Sequence, residues 1–359
     1  MNDIQTAREK ICEIDKKMAE LFCQRMKVAE TVAAYKKENG LPILDAKREE
    51  FLIEKNSKFI EDETLKPYYI DFLKSNMDIS KKYQTRINEG MRVAFSGVKG
   101  AFAEIAAKKI FPNTIIVGFA NFKDAYESVE KGECDCVMLP LENSYNGDVG
   151  QVMDLAFFGS LYINGIYDFS IKQCLVAKKG TRISDIKEVI SHPQALGQCS
   201  AFINEHKLAF NECENTAVAA KTVANSERLD LAAIASQEAA EEYGLEILQS
   251  NINDDTTNTT RFAVFSKALK SEHKNDNEFV MFFTVKNESG SLKNALSVIG
   301  ENGFNLRALK SRPSKDLIWS YYFYVEGEGN VFSNDGKNML DELKKTCSAI
   351  KIAGSFEKI

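Results

Sequence analysis

The chain has 359 residues, 44% hydrophobic and 27% charged, which is typical of a soluble globular protein with two or three domains. Its formal net charge of −6 gives no support for nucleic-acid binding, which favours a basic face. No apolar run is long enough to span a membrane, and the N-terminal sequence lacks the apolar stretch of a signal peptide, so we expect a cytoplasmic location.

Residues 1–89 show a helical periodicity without strand signals, which predicts an all-α helical bundle. The first helix should run from about Ile4 to Lys37 and end before the Asn-Gly-Leu-Pro sequence at 39–42. A second helix should begin after Asp45, whose carboxylate can cap it. A third should cover about Leu65 to Ile87.

Arg25 interrupts an apolar heptad pattern in the first helix. The other seam positions suit packing on partner helices, and they are Ile4, Ala7, Ile11, Ile14, Met18, Leu21, Val28, Val32 and Tyr35. A guanidinium in such a seam is costly unless an anion meets it. Two explanations are open: a structural ion pair with a nearby Glu or Asp, or a buried pocket for an anionic ligand.

Further charged and polar side chains of this segment can converge. Lys36 shares a helix face with Arg25, and Ser80 and Gln84 lie one turn apart on the third helix. Arg8 is ~25 Å from Arg25 along the first helix at ~1.5 Å per residue. Only an antiparallel two-fold dimer could therefore bring Arg8 of one subunit to the site of the other.

The segment resembles the all-helical chorismate mutase family over nearly all of residues 1–89. The family's substrate-contacting positions fall on Arg8, Arg25, Lys36, Asp45, Arg48, Glu49, Ser80 and Gln84. The resemblance implies the unimolecular rearrangement of chorismate to prephenate, without proton transfer or nucleophile. It implies that Arg8 from a partner subunit and Arg25 clamp carboxylates, with Arg48 in support.

The same resemblance assigns the remaining chemistry. Lys36 and Gln84 would donate hydrogen bonds to the breaking ether oxygen, where negative charge develops. Glu49 would accept a hydrogen bond from the substrate hydroxyl.

Near Met91 the pattern changes to alternating strands and helices, which predicts parallel sheet with helices packed on it. The predicted strands are Arg92–Phe95, Thr114–Gly118, Cys134–Leu139, Ile171–Ala177, Glu188–Ser191 and Leu231–Ala235. Residues 91–267 are too many for one such lobe, so we expect a two-lobed α/β domain with a cleft, similar to periplasmic binding proteins. The eight cysteines should be reduced thiols, and we predict neither a metal nor a cofactor.

Three polar strings adjoin predicted strands, and the carboxyl edge of a parallel sheet is where ligands normally bind. They are residues 140–144 (Pro-Leu-Glu-Asn-Ser), 191–199 (Ser-His-Pro-Gln-Ala-Leu-Gly-Gln-Cys) and 258–262 (Asn-Thr-Thr-Arg-Phe). The helix that begins in the second string offers free backbone N–H groups to an anion. Each string alone is also compatible with capping and turn structure, and His192 alone is more typical of a structural histidine.

Together the strings resemble the prephenate dehydratase family over about residues 91–267. The resemblance implies conversion of prephenate to phenylpyruvate with loss of carbon dioxide and water. The leaving hydroxyl needs a proton donor, for which Thr260 is the first choice and Glu142 the alternative if burial keeps it protonated. The substrate would be oriented by Asn143, Ser191, Gln198 and Arg261, the last placed to meet a carboxylate. An apolar wall should surround the departing carboxylate.

One position departs from that family's pattern. After Gly97-x-x-Gly100, members often carry Thr or Tyr and then Ser, whereas Ala101-Phe102-Ala103 has neither small hydroxyl. Backbone N–H groups or Lys99 would have to replace what those hydroxyls contribute.

A polar stretch from Ser271 to Asn277 is a predicted linker. The elements after it are strand Phe279–Val285, helix Ser291–Glu301, strands Asn305–Ser311 and Ile318–Val325, helix Asn338–Thr346 and strand Lys351–Phe356. This βαββαβ order predicts an α+β, ferredoxin-like domain.

The C-terminal segment resembles the ACT regulatory domain of such dehydratases, in which phenylalanine binds at a subunit interface. The motif positions are Gly290, Leu292, Asn305, Leu306, Ser311, Arg312 and Pro313. Members often carry Glu before Ser-Arg-Pro, and Lys310 reverses that charge. The alternative is a domain that only mediates dimerisation. A regulatory site would require phenylalanine to bind one conformational state better than another.

We therefore predict a multidomain, bifunctional enzyme of phenylalanine biosynthesis: a mutase domain at 1–89, a dehydratase domain at 91–267 and an ACT domain at 278–359. Its substrates would be chorismate and prephenate, its allosteric ligand phenylalanine, and its smallest assembly a homodimer. Two alternatives are open: a dehydratase whose helical domain only dimerises, and a non-catalytic sensor of an aromatic metabolite. Acceptance of arogenate, channelling of prephenate and tetramer formation are not decided by the sequence.

Overall fold

Three helices follow one another from residue 3 to residue 89 of the computed structural model, which describes residues 3–255, 257–313 and 321–358. Helix α1 covers Asp3–Glu38, α2 covers Ala46–Ser57 and α3 covers Lys66–Glu89, which confirms the predicted helix boundaries to within two residues. Asp45 caps α2 as predicted, since its Oδ1 accepts a hydrogen bond from the backbone N of Arg48 at 3.0 Å.

Much of the apolar surface of these helices is exposed in the single chain. The seam residues Leu21, Val28 and Tyr35 of α1 are 62%, 64% and 60% exposed. The buried apolar side chains of the helices are Met26, Ala29, Ala33 and Met77. An apolar face of this extent is typical of an interaction surface. The helices form one structural unit, Met1–Arg92, and the rest of the chain forms a second, Val93–Ile359.

The second unit opens with an α/β lobe. Its elements are β1 (Arg92–Ser96), α4 (Phe102–Ile110), β2 (Ile115–Phe119), α5 (Phe122–Glu130), β3 (Cys136–Asn143), β4 (Gly147–Asp148), α6 (Gly150–Phe158), β5 (Tyr162–Ser170) and, much later in the chain, β11 (Thr259–Ser266). The strand order is β5-β11-β3-β1-β2, with β4 paired to β3. Val93, Ala94 and Phe95 are all buried, as expected for a strand covered on both faces.

A second lobe contains its own five-stranded sheet, in the order β10-β6-β9-β7-β8. Its elements are β6 (Cys174–Ala177), a 3-10 turn (Ile183–Asp185), β7 (Glu188–Ser191), α7 (Pro193–Gln198), α8 (Ser200–Glu205), β8 (Ala209–Glu212), α9 (Thr216–Asn225), β9 (Leu231–Ala235), α10 (Gln237–Tyr243) and β10 (Glu246–Gln249). The two sheets confirm the predicted division into two lobes.

The prediction of parallel sheet was only partly right, because both sheets are mixed. Strand β1 is parallel to β3, and β7 is parallel to β8 and β9. Strand β11 is antiparallel to β3 and β5, and β6 is antiparallel to β9 and β10. Strands β4, β5, β8 and β10 were not predicted. Strand β8 lacks a hydrophobic signal because all four of its residues are exposed at the sheet edge.

The C-terminal segment has the predicted βαββαβ order. Its elements are β12 (Glu278–Thr284), α11 (Ser291–Glu301), β13 (Asn305–Pro313), β14 (Tyr321–Glu328), α12 (Asn334–Thr346) and β15 (Ala349–Phe356). Residues 318–320 of the predicted third strand lie outside the described residues. The strands are ordered β13-β14-β12-β15, and β15 continues into the first lobe through a pairing of Gly354 with Ile163.

The first lobe and the C-terminal segment share one hydrophobic core. Tyr322, Tyr324 and Phe282 of the C-terminal strands are buried together with Leu141 and Ile163 of the lobe. The side chain of Phe157, at the end of α6, stacks on Tyr322 with ring centroids 4.1 Å apart. No helix within the described ranges is long and apolar enough to cross a bilayer.

Candidate active sites

A cavity of about 300 Å³ lies among the three N-terminal helices. Seven of the eight side chains predicted to contact chorismate line it: Arg25, Lys36, Asp45, Arg48, Glu49, Ser80 and Gln84. Arg25 and Lys36 lie eleven positions apart on one face of α1, and Ser80 and Gln84 lie four positions apart on one face of α3. Helix α2, capped by Asp45, brings its first residues to the same cavity.

Arg25 is half-buried at this cavity. Its Nη1 donates to the backbone oxygen of Asn76 at 3.3 Å, and no carboxylate of the described residues lies within ion-pairing distance of it. Burial lowers the pKa of the Arg25 guanidinium, which means that the protein alone disfavours its charge. The described residues of the chain therefore do not form the internal ion pair considered for Arg25, and the pocket for an anionic ligand stays a prediction.

The other polar groups are held within the cavity wall. The Nζ of Lys36 donates to the backbone oxygen of Ile43 at 2.5 Å. The Nε2 of Gln84 donates to Ser80 Oγ at 3.3 Å, while Gln84 Oε1 is buried without a hydrogen-bond partner. The guanidinium of Arg48 lies 5.3 Å from the ring centroid of Phe51.

Lys81 is a cavity residue that the sequence reasoning missed. Its Nζ lies 3.1 Å from Glu49 Oε1, so the carboxylate of Glu49 is neutralised within the chain. The lining then carries four cations, Arg25, Lys36, Arg48 and Lys81, against the two carboxylates of Asp45 and Glu49. The excess of two positive charges matches a small dianion.

Arg8 does not line this cavity. It is exposed on the N-terminal part of α1, which agrees with the prediction that it cannot reach Arg25 of its own chain. Its assignment to a partner's site stays a prediction.

A second cavity, of about 430 Å³, lies between the two α/β lobes. Of the residues predicted to contact prephenate, Asn143, Gln198 and Thr260 line it. Its floor is formed by β3 and β11 of the first lobe, and the second lobe contributes Gln173, His192 and Gln194.

Three of the predicted residues do not line this cavity, which corrects their predicted roles. Glu142 and Arg261 neighbour Asn143 and Thr260 in β3 and β11, and successive side chains of a strand point to opposite faces of the sheet. Both therefore lie on the far face, where Arg261 Nη1 donates to Glu142 Oε2 at 3.3 Å. Ser191 is fully buried and donates to the backbone oxygen of Ile234 at 2.6 Å, so its hydroxyl is structural.

Thr260 is poised as a hydrogen-bond donor. The Nδ2 of Asn143 donates to Thr260 Oγ1 at 2.9 Å, so the hydroxyl oxygen is an acceptor there and its hydrogen is free for a ligand. The Oδ1 of Asn143 accepts from the backbone N of Tyr145 and Asn146 at 3.0 and 3.1 Å, which fixes the orientation of the amide. Asn143 therefore orients Thr260 more directly than it could orient a substrate.

His192 and Gln173 are two of the polar lining residues to which sequence reasoning assigned no substrate role. The Nδ1 of His192 accepts from the backbone N of Gln194 at 3.2 Å, which places the ring hydrogen on Nε2. Burial lowers the pKa of His192, with partial opposition from Glu212, so the ring is neutral near pH 7. Gln173 is 2% exposed, and its Oε1 has no hydrogen-bond partner within the part of the chain that the structure describes.

Apolar side chains also line this cavity. Phe102, Phe122, Val149, Ile171 and Phe262 contribute to the lining. Ala101 and Ala103 line it as well, at the start of α4, where no side chain caps the helix. Lys99 is absent from the lining and lies 3.5 Å from Glu242, so of the two predicted substitutes for the missing hydroxyls only the backbone N–H groups of α4 remain.

The predicted phenylalanine-binding residues occupy two parts of the C-terminal segment. Gly290 precedes α11 in a left-handed conformation with φ +86°, and Leu292 follows it. The Nδ2 of Asn305 donates to Glu328 at 3.0 Å, Leu306 borders the C-terminal core, and Ser311 and Pro313 are exposed.

Arg312 belongs to the same motif but faces the first lobe. Its Nε lies 3.0 Å from Asp154 Oδ1. An added Cβ at Gly150 would overlap the Arg312 guanidinium, so the glycine makes room for that side chain. No group of three His, Cys, Asp or Glu among the described residues could hold a metal ion.

Comparison with known proteins identifies two families along the chain. The family model "Prephenate dehydratase" matches residues 93–270, and "Chorismate mutase type II" matches residues 7–85. The "Bifunctional chorismate mutase/prephenate dehydratase" of Enterobacter agglomerans is 30% identical over 99% of this chain and 96% of its own length. "Arogenate dehydratase 2" of Petunia hybrida is 34% identical over 74% of this chain and 71% of its own length.

A solved structure agrees with these matches. The prephenate dehydratase of Arthrobacter aurescens in complex with L-Phe superimposes with a TM-score of 0.69 and 28% identity. The match covers 75% of this chain and 90% of that chain.

Proposed function

The chain belongs to the bifunctional chorismate mutase/prephenate dehydratase family, and we propose that its helical cavity and its inter-lobe cavity are the two active sites. The enzyme rearranges chorismate to prephenate and then dehydrates and decarboxylates prephenate to phenylpyruvate. The helical cavity supports the assignment most strongly, since seven residues expected at a mutase site line it with an excess of two positive charges.

In the mutase site, Arg25 and Arg48 would bind the carboxylates of chorismate, and Lys36 and Gln84 would donate to its ether oxygen. The Nε2 of Gln84 carries two hydrogens, so it can keep its hydrogen bond to Ser80 and donate the second hydrogen to the ether oxygen. Glu49, which Lys81 holds in an ion pair, would accept a hydrogen bond from the substrate hydroxyl. Holding the compact conformer and stabilising the charged ether oxygen then accelerate the rearrangement.

In the dehydratase site, Thr260 would donate to the leaving hydroxyl of prephenate. Glu142 is set aside as the alternative acid, since it lies on the other face of the sheet in an ion pair. The neutral His192, with its hydrogen on Nε2, is a second donor available at this cavity. The phenylalanine rings of the lining would favour departure of the ring carboxylate as neutral carbon dioxide.

Substrate carboxylates would meet backbone groups in this cavity. Its described lining has no Lys or Arg, and Arg261 is engaged elsewhere. The uncapped start of α4, at Ala101, leaves backbone N–H groups free for an anion.

The C-terminal segment would be an ACT domain that binds phenylalanine, and the chain would divide into domains at 1–89, 91–267 and 278–359. The βαββαβ order supports this, as does the L-Phe complex of the Arthrobacter aurescens relative. Feedback inhibition requires that phenylalanine bind one state of the enzyme better than another.

A homodimer in the cytoplasm would be the smallest functional assembly. The exposed seam of α1 supports dimerisation, because a partner would cover it. The absence of Arg8 from its own chain's cavity is consistent with its service to the partner's site.

Arogenate is a second candidate substrate for the inter-lobe cavity. The exposed carboxylate of Glu214 lines that cavity and could pair with the ammonium group by which arogenate differs from prephenate. A relative named as an arogenate dehydratase is 34% identical to this chain. Comparing kcat/KM for the two substrates decides which one the enzyme prefers.

The proposal is tested by supplying chorismate to the purified protein. Prephenate should appear first and phenylpyruvate second, detected by its absorbance in base, and phenylalanine should slow the second step. Prephenate without phenylpyruvate would refute the assignment of the inter-lobe cavity, and no consumption of chorismate would refute that of the helical cavity.

A further inference from the structure

The face of the β3–β11 sheet opposite to the inter-lobe cavity carries a network of ion pairs, which we call the ionic cluster. Its members are Glu142 and Arg261 on that face, Asp148 on the adjoining β4 and Lys310 and Glu326 from the C-terminal segment. Thr260 pairs with Asn143 across the strands, and the next residues, Arg261 and Glu142, form the adjoining pair. The proposed donor and the cluster are therefore one residue apart on two shared strands.

Each partner from the C-terminal segment makes close contacts. Arg261 binds Glu326 with two hydrogen bonds, Nη1 to Oε1 at 2.9 Å and Nη2 to Oε2 at 2.8 Å. The Nζ of Lys310 lies 3.1 Å from Glu142 Oε1 and 2.5 Å from Asp148 Oδ1. Lys310 thus joins β3 to β4, the two strands of a short hairpin.

The cluster is well enough shielded from solvent to matter energetically. The side chain of Glu326 is 7% exposed and that of Lys310 is 16% exposed. Burial alone would raise the pKa of Glu326, but the Arg261 guanidinium, together with the Tyr324 hydroxyl and Lys310, outweighs burial and lowers it. Removing one partner of such a pair leaves an uncompensated charge in a shielded place.

The cluster reaches the cavity directly as well as through the strands. Asp148 forms an ion pair with Lys310 and also lines the inter-lobe cavity. The hairpin that carries it also carries Asn143, which orients Thr260.

We infer that Lys310 and Glu326 of the C-terminal segment are positioning residues of the dehydratase site. They hold Glu142, Asp148 and Arg261 so that Asn143 and Thr260 face the cavity in the correct register. The inference rests on the proposed role of Thr260. Lys310, which reverses the charge often found at this position in similar domains, would thus bind acidic residues of the first lobe.

Other contacts already attach the C-terminal segment to the lobe. The Nζ of Lys351 donates to the backbone oxygens of Ala156, Phe157 and Gly159 at 2.7, 3.1 and 2.5 Å. Arg312 pairs with Asp154, and the two parts share a hydrophobic core. Loss of Lys310 should therefore misplace the hairpin without detaching the segment.

The test compares dehydratase kinetics of full-length Lys310→Met, Lys310→Arg and Glu326→Gln, with mutase activity of the same polypeptide as internal standard. Arg307→Met is the matched control, because Arg307 lies in the same strand but pairs with Glu278 and Glu328 inside the C-terminal segment. Since a 1 Å misplacement of reacting groups can cost on the order of 100-fold, we expect dehydratase kcat to fall about 10-fold or more in Lys310→Met and Glu326→Gln. Because Lys310→Arg keeps the positive charge, it should retain most of the wild-type dehydratase kcat. Mutase kcat should stay unchanged in every variant.

The outcomes separate this inference from the proposed function. If wild-type enzyme converts prephenate but Lys310→Met and Glu326→Gln both keep its dehydratase kcat and KM, the positioning role is refuted. If position 310 serves phenylalanine alone, Lys310→Glu will change only the phenylalanine concentration that inhibits, and that result also overturns the inference. Absence of dehydratase activity in the wild type would instead refute the proposed function.

Discussion

Replacing Arg25 with methionine should separate the stability of the helical unit from its chemistry. Among the residues that the structure describes, the Arg25 guanidinium donates only to the backbone oxygen of Asn76, and burial already lowers its pKa. Methionine keeps the length of the side chain and its apolar contacts. We therefore expect the free energy of unfolding to change by less than about 1 kcal/mol, because no ion pair is broken.

The effect on mutase activity should be much larger. A hydrogen bond between a charged donor and an anionic ligand contributes about 1.5–3 kcal/mol. With 1.36 kcal/mol for each factor of ten, kcat/KM for chorismate should fall about 10- to 150-fold. The half-buried position of Arg25 in a cavity places the expected loss near the upper end.

The assay follows the loss of chorismate absorbance under steady-state conditions, with the dehydratase rate from added prephenate as internal standard. Lys27→Met is the matched control, because it removes the same charge from the same helix at an exposed position about 200° around from Arg25. If Arg25→Met retains kcat/KM within threefold of the wild type, the guanidinium does not bind substrate and the account of the helical cavity is wrong.

Three further predictions concern single residues. Thr260→Val should lower dehydratase kcat about 100-fold without affecting mutase activity, because a positioned proton donor contributes at least that much. Stopped assays with prephenate measure this, and an unchanged kcat would mean that Thr260 is not the proton donor. Lys81→Met should raise KM for chorismate about 5- to 10-fold, because the excess positive charge of the cavity falls from two to one. Initial-rate kinetics at several ionic strengths measure the change, and an unchanged KM would show that Lys81 does not contribute to substrate binding. The pKa of Glu326 is lower in the folded state than in the unfolded state. Its ion pair therefore stabilises the folded protein at pH values above the unfolded-state pKa, and this stabilisation is lost as pH falls through the folded-state pKa. The difference in unfolding free energy between wild type and Glu326→Gln should therefore shrink as pH falls below the ordinary carboxyl range toward the lowered pKa of Glu326. Denaturant titrations at several pH values measure this, and a difference independent of pH would contradict the pairing.

Helix periodicity explains why the sequence predicted most of the residues that line the helical cavity. On a helix the spacing of Arg25 and Lys36, or of Ser80 and Gln84, fixes a common face, and α1 and α3 have the predicted boundaries. Lys81 was missed because neighbouring helix residues point about 100° apart, so nothing in the sequence distinguishes it from a solvated lysine.

Strand geometry explains where prediction failed in the dehydratase. Alternation shows that Glu142 and Asn143 face opposite sides, but the sequence does not say which side is the cavity. The pairing of β3 with β11, more than a hundred residues apart, decides this, and it places Arg261 with Glu142 away from the cavity. Gln173 belongs to no recognisable motif, and its place in the lining follows from the packing of the two lobes.

The mixed sheets have a related cause. Strand β11 returns to the first lobe after the chain has completed the second, so its direction is set by that return and not by a local βαβ unit. Local patterns could predict that Phe262–Phe265 is a buried strand, but not its antiparallel neighbours.

The most direct test of the account is complementation between two inactive mutase variants, Arg8→Ala and Arg25→Met. When the two are mixed and allowed to exchange subunits, half the dimers should be mixed, and each mixed dimer should have one site with both arginines. Mutase activity should then recover to about a quarter of the wild-type value, as expected for a site shared across a two-fold axis. Activity no greater than the average of the separate variants, under conditions where subunit exchange is demonstrated, would show that chorismate is bound within a single chain.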